Sequence, residues 1–368
     1  GLTLCIYMFS FIQGTMVAPL PFKDGERIRA VDMIYNGMTY QGTSIRVHDF
    51  EDLKKRVQSY EVFDAYDIGT VNLSTNDRAV KYTGHFVTEN FFKISEAKPL
   101  LGRLLSNEDA LSGAEPVAVL SHTLWQSLFA GDKDVLGKKL RVNTKPTTIV
   151  GVMPDSYQFP DAGRIWLPYT TKATGVERSK ADYVAVYGVL KPGVTDELAN
   201  TEIKSLMAEL EDKFPKLNSN TSARIWTIQE SSMGDGTSVI ILAMELAVGF
   251  ILLLACINVG NLLFSRATEK GKETAIRTAL GAPRATIIMQ MMWESLFICS
   301  LGGLFGLFLA AWSLELLETI LPQMLPISVP FWWVMSLDNE LILQSIAIIL
   351  ITALVTGILP AWKMSSSD

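Results

Sequence analysis

The side chains that could do chemistry are few and far apart. His48, His85 and His122 show none of the close spacings that gather imidazoles around a metal, and each reads as a surface or satisfied polar residue. Ser74, Ser121 and Ser156 lack the strand–turn–helix setting of a nucleophile elbow. The pair Glu108-Asp109 reads as a loop or helix start. A phosphate-binding loop needs a second Gly-Lys followed by Ser or Thr, but Gly271-Lys272 is followed by Glu273, and Arg266 stands where the first glycine belongs. Gly131 to Lys139 fails in the same way. No catalytic group, metal set or cofactor site is expected in the chain.

Polar groups do stand out inside apolar runs. From Val239 to Leu263 there is no Lys, Arg or Asp, and Glu245 is the single acid. At 1.5 Å per residue, such a run can cross a hydrocarbon layer of about 30 Å. Ile287 to Leu317 has the same character, broken by Glu294 and Glu315, and Leu341 to Trp362 is a third run. Glu245, Asn258, Asn261, Glu294 and Gln344 would cost free energy in lipid unless they faced protein or water. For the acids, a relay or transmission role and an ion pair at headgroup level are both open, with Arg284 or Arg266 as partner of Glu294. For Asn258 and Asn261, hydrogen bonding between helices is the plainer reading. Gly302, Gly303 and Gly306 have the small-residue spacing that lets helix backbones approach.

Between the first two runs lies a short charged connector. Glu273 to Leu280 should be a helix, with Ala275, Ile276, Ala279 and Leu280 on one face and Gly281 and Pro283 stopping it. Arg266, Lys270 and Arg277 would face headgroups or a partner. Two readings are open: a surface helix that links two spans, or a docking face.

The elements that position these residues follow from composition. Hydrophobic residues make up 49% and charged residues 19%, with a mean hydropathy of +0.25, above a soluble domain. The charge is concentrated in residues 23–235, which predicts a folded domain carried by membrane helices. A net charge of −6 argues against nucleic-acid binding. Cys5, Cys256 and Cys299 fall in apolar runs, so no disulfide framework is expected in that domain. Leu2 to Val17 lacks a basic leader and reads as the outer end of a first transmembrane helix beginning before Gly1, ended by Pro19-Leu-Pro21. The chain is expected to continue past Asp368.

Within 23–235 the spacing predicts a strand at Arg27–Ile34, a helix over Val47–Tyr60 and strands over Thr70–Phe86 with a turn at Asn76-Asp77. It then predicts a buried strand Pro116–Leu120, a helix His122–Phe129 and a hairpin Lys139–Val152. A strand Asp182–Leu190 and a turn at Lys191-Pro-Gly193 precede an amphipathic helix Thr195–Phe214 (Leu198, Ile203, Leu206, Leu210 and Phe214 inward), and Ala223–Ile228 closes. Two strand–helix–strand units predict a split βαβ, porter-like layout, helices on one face of a mixed sheet, with an insertion at about 97–175. The fold class is an α+β membrane protein with four transmembrane helices: residues 1–18 and about 238–264, 287–317 and 341–362, the last three within a segment 238–364.

The connector from Phe264 to Thr286 carries Arg266, Lys270, Lys272, Arg277 and Arg284 against Glu269 and Glu273, whereas Leu321 to Glu340 has no basic residue. Basic short loops stay in the cytoplasm, so the large domain is expected outside. Trp332-Trp333, in a loop with Pro322, Pro326 and Pro330, suits a membrane interface.

Several stretches carry a resemblance. Leu253-Leu-Ala-Cys-Ile-Asn-Val-Gly-Asn-Leu-Leu-Phe-Ser-Arg266, Glu273-Thr-Ala-Ile-Arg-Thr-Ala-Leu-Gly-Ala282, Glu294-Ser and Gly302-Gly-Leu-Phe-Gly306 resemble the FtsX/MacB-type permeases of bacterial ABC transporters. The large domain resembles the MacB-like periplasmic core domain through Val119-Leu-Ser-His-Thr-Leu-Trp125, Leu136-Gly-Lys-Lys-Leu-Arg141, Ile149-Val-Gly-Val-Met-Pro154 and Ile165-Trp-Leu-Pro168. The resemblance implies that the connector is the coupling helix, seated on an ABC ATPase subunit that binds the ATP. Its contact candidates are Glu273, Ala275, Ile276, Arg277, Ala279, Leu280 and Gly281. It implies a multi-pass protein of the bacterial inner membrane, working with a second permease copy or homologous half, with a periplasmic adaptor as a further candidate partner. The outer domain would transmit force as ATP turns over, driving export or extraction of a substrate. The rival expectations are an FtsX-like scaffold regulating an extracytoplasmic cell-wall enzyme, and a membrane-anchored enzyme or receptor; the missing catalytic cluster weighs against the latter.

Overall fold

The computed structural model describes residues 1–74, 79–170, 176–269, 276–277, 280, 283–324, 330–333 and 339–366. The chain forms two compact units. A helical unit comprises Gly1–Ala18, Ser238–Val329 and Trp333–Asp368; a sheet unit comprises Pro19–Thr237 with Pro330–Trp332. The chain starts with α1 (Leu2–Ile12), which widens into a π-type turn over Gln13–Val17, closed by Ala18 N–H donating to the Gln13 carbonyl at 2.8 Å. Pro19 and Pro21 follow directly and forbid a further turn.

The sheet unit opens with β1 (Ile28–Tyr35), β2 (Met38–Tyr40) and β3 (Ile45–Arg46), then α2 (Val47–Lys54) and β4 (Tyr60–Ser74). After β5 (Ala79–Val87) come β6 (Leu101–Gly102), β7 (Val117–Leu120), α3 (His122–Phe129), β8 (Lys139–Val142), β9 (Lys145–Val152) and β10 (Ile165–Pro168). The chain then returns through β11 (Tyr183–Leu190), α4 (Asp196–Lys213), α5 (Pro215–Asn218), β12 (Thr221–Trp226) and α6 (Ile228–Met233).

The units β1–α2–β4 and β11–α4–β12 interlock in the order β12-β1-β11-β4. Each parent pair is split by a strand of the other, the split βαβ arrangement of a ferredoxin-like sheet. All three pairings among these four strands are antiparallel. Parallel pairing, which makes the sheet mixed, enters through β5–β10 and β7–β9. One core cluster joins Val47, Phe50 and Leu53 of α2 to Ala199, Ile203, Leu206, Met207 and Leu210 of α4 over the inward residues of these strands. Burying each large aliphatic side chain contributes roughly 2 kcal/mol.

Two boundaries and one helix face differ here from the sequence reading. The helix after Val47 stops at Lys54, and Tyr60 opens β4 opposite Leu190. The Glu202 carboxylate of α4 accepts from the amides of Gln58 (2.7 Å) and Ser59 (3.0 Å), fixing the chain where it leaves the helix. Leu198 is 58% exposed, because the buried stripe of α4 runs through Ala199 and Met207 instead. Ile228 belongs to α6, which Thr227 and Glu230 start with a reciprocal capping box.

The second half of β4 pairs with β5, and β8 pairs with both β9 and β4, so β4-β5-β10-β7-β9-β8 closes into a ring. Closure removes the sheet edges that would otherwise be left unpaired. A second core fills the ring, reaching from Val71 and Leu73 to Ile165 and Leu167, with Leu124 and Trp125 of α3 against it. The excursion thus begins inside β4, upstream of the expected residue 97. The expected turn at Asn76-Asp77 lies outside the described residues.

The helical unit contains α1, α7 (Thr237–Glu269), α8 (Arg284–Met324) and α9 (Asn339–Ser366). Thr237–Arg266 and Ile288–Leu321 are long and apolar enough to cross a membrane, while Leu2–Val17 and Leu341–Gly357 are apolar but shorter. Four spans were expected; two meet the length criterion among the described residues. α8 continues through Leu321 and Pro322 to Met324, where the sequence predicted a loop. Gly303 lets α9 approach, for a β-carbon there would lie 2.3 Å from Ile349; one at Gly306 would meet Thr3 of α1 at 3.2 Å, and Gly302 faces open space. Ser295 of α8 donates to the Ala353 carbonyl of α9 at 2.7 Å and lies 2.8 Å from the Thr356 hydroxyl, satisfying its polar group in an apolar setting.

Candidate coupling site

The end of α7 and the start of α8 are held together by charge. Arg266 Nη1 donates to Glu294 Oε1 at 3.3 Å, so of the two partners expected for Glu294 the structure brings up Arg266. One α-turn back toward the start of α8, Arg277 of the connector donates to Gln290 Oε1 at 3.2 Å. Glu294 keeps 27% of its side-chain exposure and Arg266 54%, so the pair is partly solvated.

Between these anchors, Leu280 N–H donates to the Ile276 carbonyl at 3.0 Å, one helical turn. The two side chains are 61% and 82% exposed, an apolar pair left uncovered by the described residues. Glu273, Ala275, Ala279 and Gly281 lie outside the described residues. Among the described residues the connector presents an apolar pair beside the basic side chains of Arg266 and Arg277.

The other polar positions separate. Glu245, Asn258 and Asn261 are exposed along α7 and form no hydrogen bond among the described residues, whereas Gln344 is half-buried on α9.

In the sheet unit the three histidines lie apart, and the buried His85 approaches an aspartate without hydrogen-bond geometry. His85 Nε2 is 2.8 Å from Asp161 and His122 Nδ1 3.0 Å from Asp155, while His48 Nε2 lies 3.0 Å from the Val176 carbonyl. Ser121 caps α3, accepting from Leu124 N–H at 3.1 Å. Asp109 closes a capping box with Ser106 and takes both Nη atoms of Arg103 at 2.6 and 2.8 Å. Burial alone would raise the Asp109 carboxyl, but Arg103 and Ser106 outweigh it and hold it below its ordinary value. Among the described residues no group of three or more His, Cys, Asp or Glu could hold a metal.

Periodicity did not disclose the buried charge. Lys54 Nζ of α2 reaches Asp64 and Glu89, each at 2.8 Å, and Thr88 Oγ1 donates to Asp64. Burial pushes the Asp64 carboxyl above its ordinary value despite Lys54 and Thr88. Burial pulls Lys54 down, but the two acids outweigh it and its net shift is upward. The cluster edges a cavity of about 440 Å³ that Val47, Phe50, Ala110 and Leu111 also line. Near it, Arg178 contacts Asp49 and reaches Asp52 at 2.6 Å, with its guanidinium 3.7 Å from the Phe214 ring centre. Lys54 was readable only as an exposed helix position, because both acids lie on other elements.

Comparison with known proteins places both halves. The MacB-like periplasmic core domain profile matches residues 1–206, and the FtsX-like permease C-terminal profile matches 245–368. The macrolide export ATP-binding/permease protein MacB of Neisseria meningitidis serogroup A is 30% identical over 256 residues, 66% of this chain and 37% of that protein. The probable syringafactin export ATP-binding/permease protein SyfD of Pseudomonas syringae pv. tomato is 26% identical over 286 residues, 77% of this chain and 40% of that protein. This chain thus spans about two fifths of these relatives. The crystal structure of the periplasmic region of MacB from Actinobacillus actinomycetemcomitans aligns with 61% of this chain and 96% of its own, at 17% identity and a TM-score of 0.43. On the profile over residues 1–206 and the one over residues 245–368, the chain belongs to the MacB-like periplasmic core domain family and carries the C-terminal domain of the FtsX-like permeases.

Proposed function

We propose that the chain is the membrane-spanning part of an ABC-type exporter of the mechanotransmission kind. An ABC ATPase in a partner subunit docks on the connector, and its cycle moves the sheet unit, which lies outside the cytoplasm. The observation that carries this reading is the exposed pair Ile276 and Leu280, one turn of helix rooted by Arg266–Glu294 and Arg277–Gln290. A plain linker at a wet surface gains nothing from two uncovered aliphatic side chains, whereas a contact with a second protein does. The relatives' names join ATP binding to permease, which supports an ATPase of the same class here. With four spans in all, α7 and α8 cross the bilayer beside α1 and α9, and a second permease copy covers the uncovered side of α7. The basic connector sets the orientation.

Ile276→Asp with Leu280→Asp tests the reading. It puts charge into the contact at a cost of several kcal/mol in association. The variant should insert at normal levels, fail to co-purify with the ATPase and lose ATP-driven export. Unchanged co-purification and export would reduce the connector to a linker.

A further inference from the structure

The sheet unit takes in a second, very short piece of chain besides its main body. Pro330–Trp332, from the connection between α8 and α9, belongs to the sheet unit, while Trp333 belongs to the helical unit. The adjacent tryptophans, which the sequence placed together at a membrane interface, are therefore divided. Trp332 is 6% exposed and packs edge-on against Phe331 at 5.1 Å. Trp333 packs edge-on against Phe11 in the helical unit at 6.3 Å.

Phe331 enters an aromatic cluster of the sheet unit. Its ring lies 5.5 Å from Phe22 and meets Phe159 edge-on at 6.1 Å, and Phe22 meets Phe159 edge-on at 5.4 Å. Phe159 is fully buried and stacks on Phe91 at 5.2 Å. The cluster extends to Tyr187 of β11 and, through Phe91, to Tyr66 of β4, strands of the ferredoxin-like half. Phe331 is thus packed onto the buried part of the unit, and Phe22 lies just past Pro19, where the chain arrives from α1. A spacer between two helices needs no aromatic ring in another unit's core, and Pro330 narrows the backbone just before that ring.

We propose that Phe331 is a docking residue that fastens the α8–α9 connection to the sheet unit. Movement of those helices then reaches the unit through this non-covalent contact as well as through the covalent joins at Pro19 and Thr237. The docking stands on the packing alone; its transmitting role rests on the exporter reading above.

The test is hydrogen–deuterium exchange on the full chain in phosphatidylethanolamine/phosphatidylglycerol nanodiscs, with export measured in parallel. In Phe331→Ala, exchange at the Trp332 amide should rise about tenfold, the scale of losing aromatic contacts from one ring, while β1 and β12 exchange as before. Phe331→Leu should lie between. ATP-driven export should fall severalfold in Phe331→Ala with the ATPase still bound. Equally fast exchange at Trp332 in the unaltered chain and in Phe331→Ala would overturn the docking, even with export intact. A Phe331→Ala protein that frees Trp332 yet exports normally would overturn the transmitting role and leave the exporter reading standing. Slow exchange at Trp332 in a chain that exports nothing with any ATPase would uphold the docking and sink the exporter reading instead.

Discussion

The two units solve burial in opposite ways. The sheet unit hides its large apolar side chains from water: Trp166, Phe159, Ile149 and Ile203 are fully buried, and polar groups cap helices or pair across the surface. The helical unit leaves comparable side chains uncovered, with Phe250 and Phe297 each 68% exposed and Leu254 60% exposed. α4 has one apolar stripe and a charged back; α7 is apolar almost all round. A helix of the second kind is stable only where its surroundings are apolar, and in an FtsX-like permease those are lipid and neighbouring helices.

The largest effect that could break this contrast comes from one change made in both units. Ile203→Asp puts a charge into the closed core of the sheet unit and should cost at least 4 kcal/mol, enough to abolish its unfolding transition. Leu254→Asp puts the same charge on the uncovered surface of α7. Near a bilayer centre it should cost about 3 kcal/mol of insertion and lower the amount of membrane-integrated protein. Wild-type levels of Leu254→Asp would mean that this surface faces water, and the contrast would fail.

Next comes the charge buried inside the sheet unit. Lys54→Ala leaves Asp64, 1% exposed, without its cation and should cost about 3 kcal/mol, read from the thermal midpoint. Adding Asp64→Asn should recover part of the loss, since it removes the orphaned charge. No recovery would mean that the Lys54 stem, not its charge, supports the site.

A smaller effect is the pH response. Burial raises the carboxyl groups of Asp32, Asp49 and Asp64 above their ordinary values. The folded unit then binds more protons than the unfolded chain. Each group's contribution to stability is fully present below its unfolded value and is lost as pH rises through its folded one. Asp109, held low, acts in the opposite sense as pH falls through its folded value. Asp67 is raised in the same way, and Asp132 and Glu177 are held low like Asp109 but lie at the surface, where solvent screens their partners; the buried raised groups therefore dominate, and the thermal midpoint should rise as pH is lowered from neutrality toward the ordinary carboxylate range. Asp64→Asn should flatten that rise; an equally steep profile would show that Asp64 does not titrate in it.

Smallest is Arg266→Ala. The pair with Glu294 is partly solvated, so its loss should change stability by about 0.5 kcal/mol or less. A loss of several kcal/mol would show a desolvated pair and draw this end of the helical unit closer to the sheet unit's behaviour.

Local signals made much of this legible in advance. α3 spans His122–Phe129 as its period and the Ser121 cap require, and the Lys139–Val152 hairpin falls where alternation placed it, as β8 and β9. α4 was readable from period and cap, though not the rotation that exposes Leu198. The long helices follow from composition, because runs so poor in charge admit little else. Each of these rests on residues within a turn or two of one another.

Tertiary structure decided the rest. That β11 lies between β1 and β4, that β8 closes the ring onto β4 and that Lys54 meets Asp64 and Glu89 are choices of partner, and no local pattern encodes a partner. Tyr60 fitted a helical period but was taken by β4, because Leu190 opposite it and Glu202 capping the preceding amides outweighed propensity. Trp332 and Trp333 have the same side chain one residue apart, and only the rings already in place, Phe331 for one and Phe11 for the other, sent them to different units. Sequence sets which faces must be covered; which surface covers them is fixed by contacts between residues far apart along the chain, and those form only in the assembled fold.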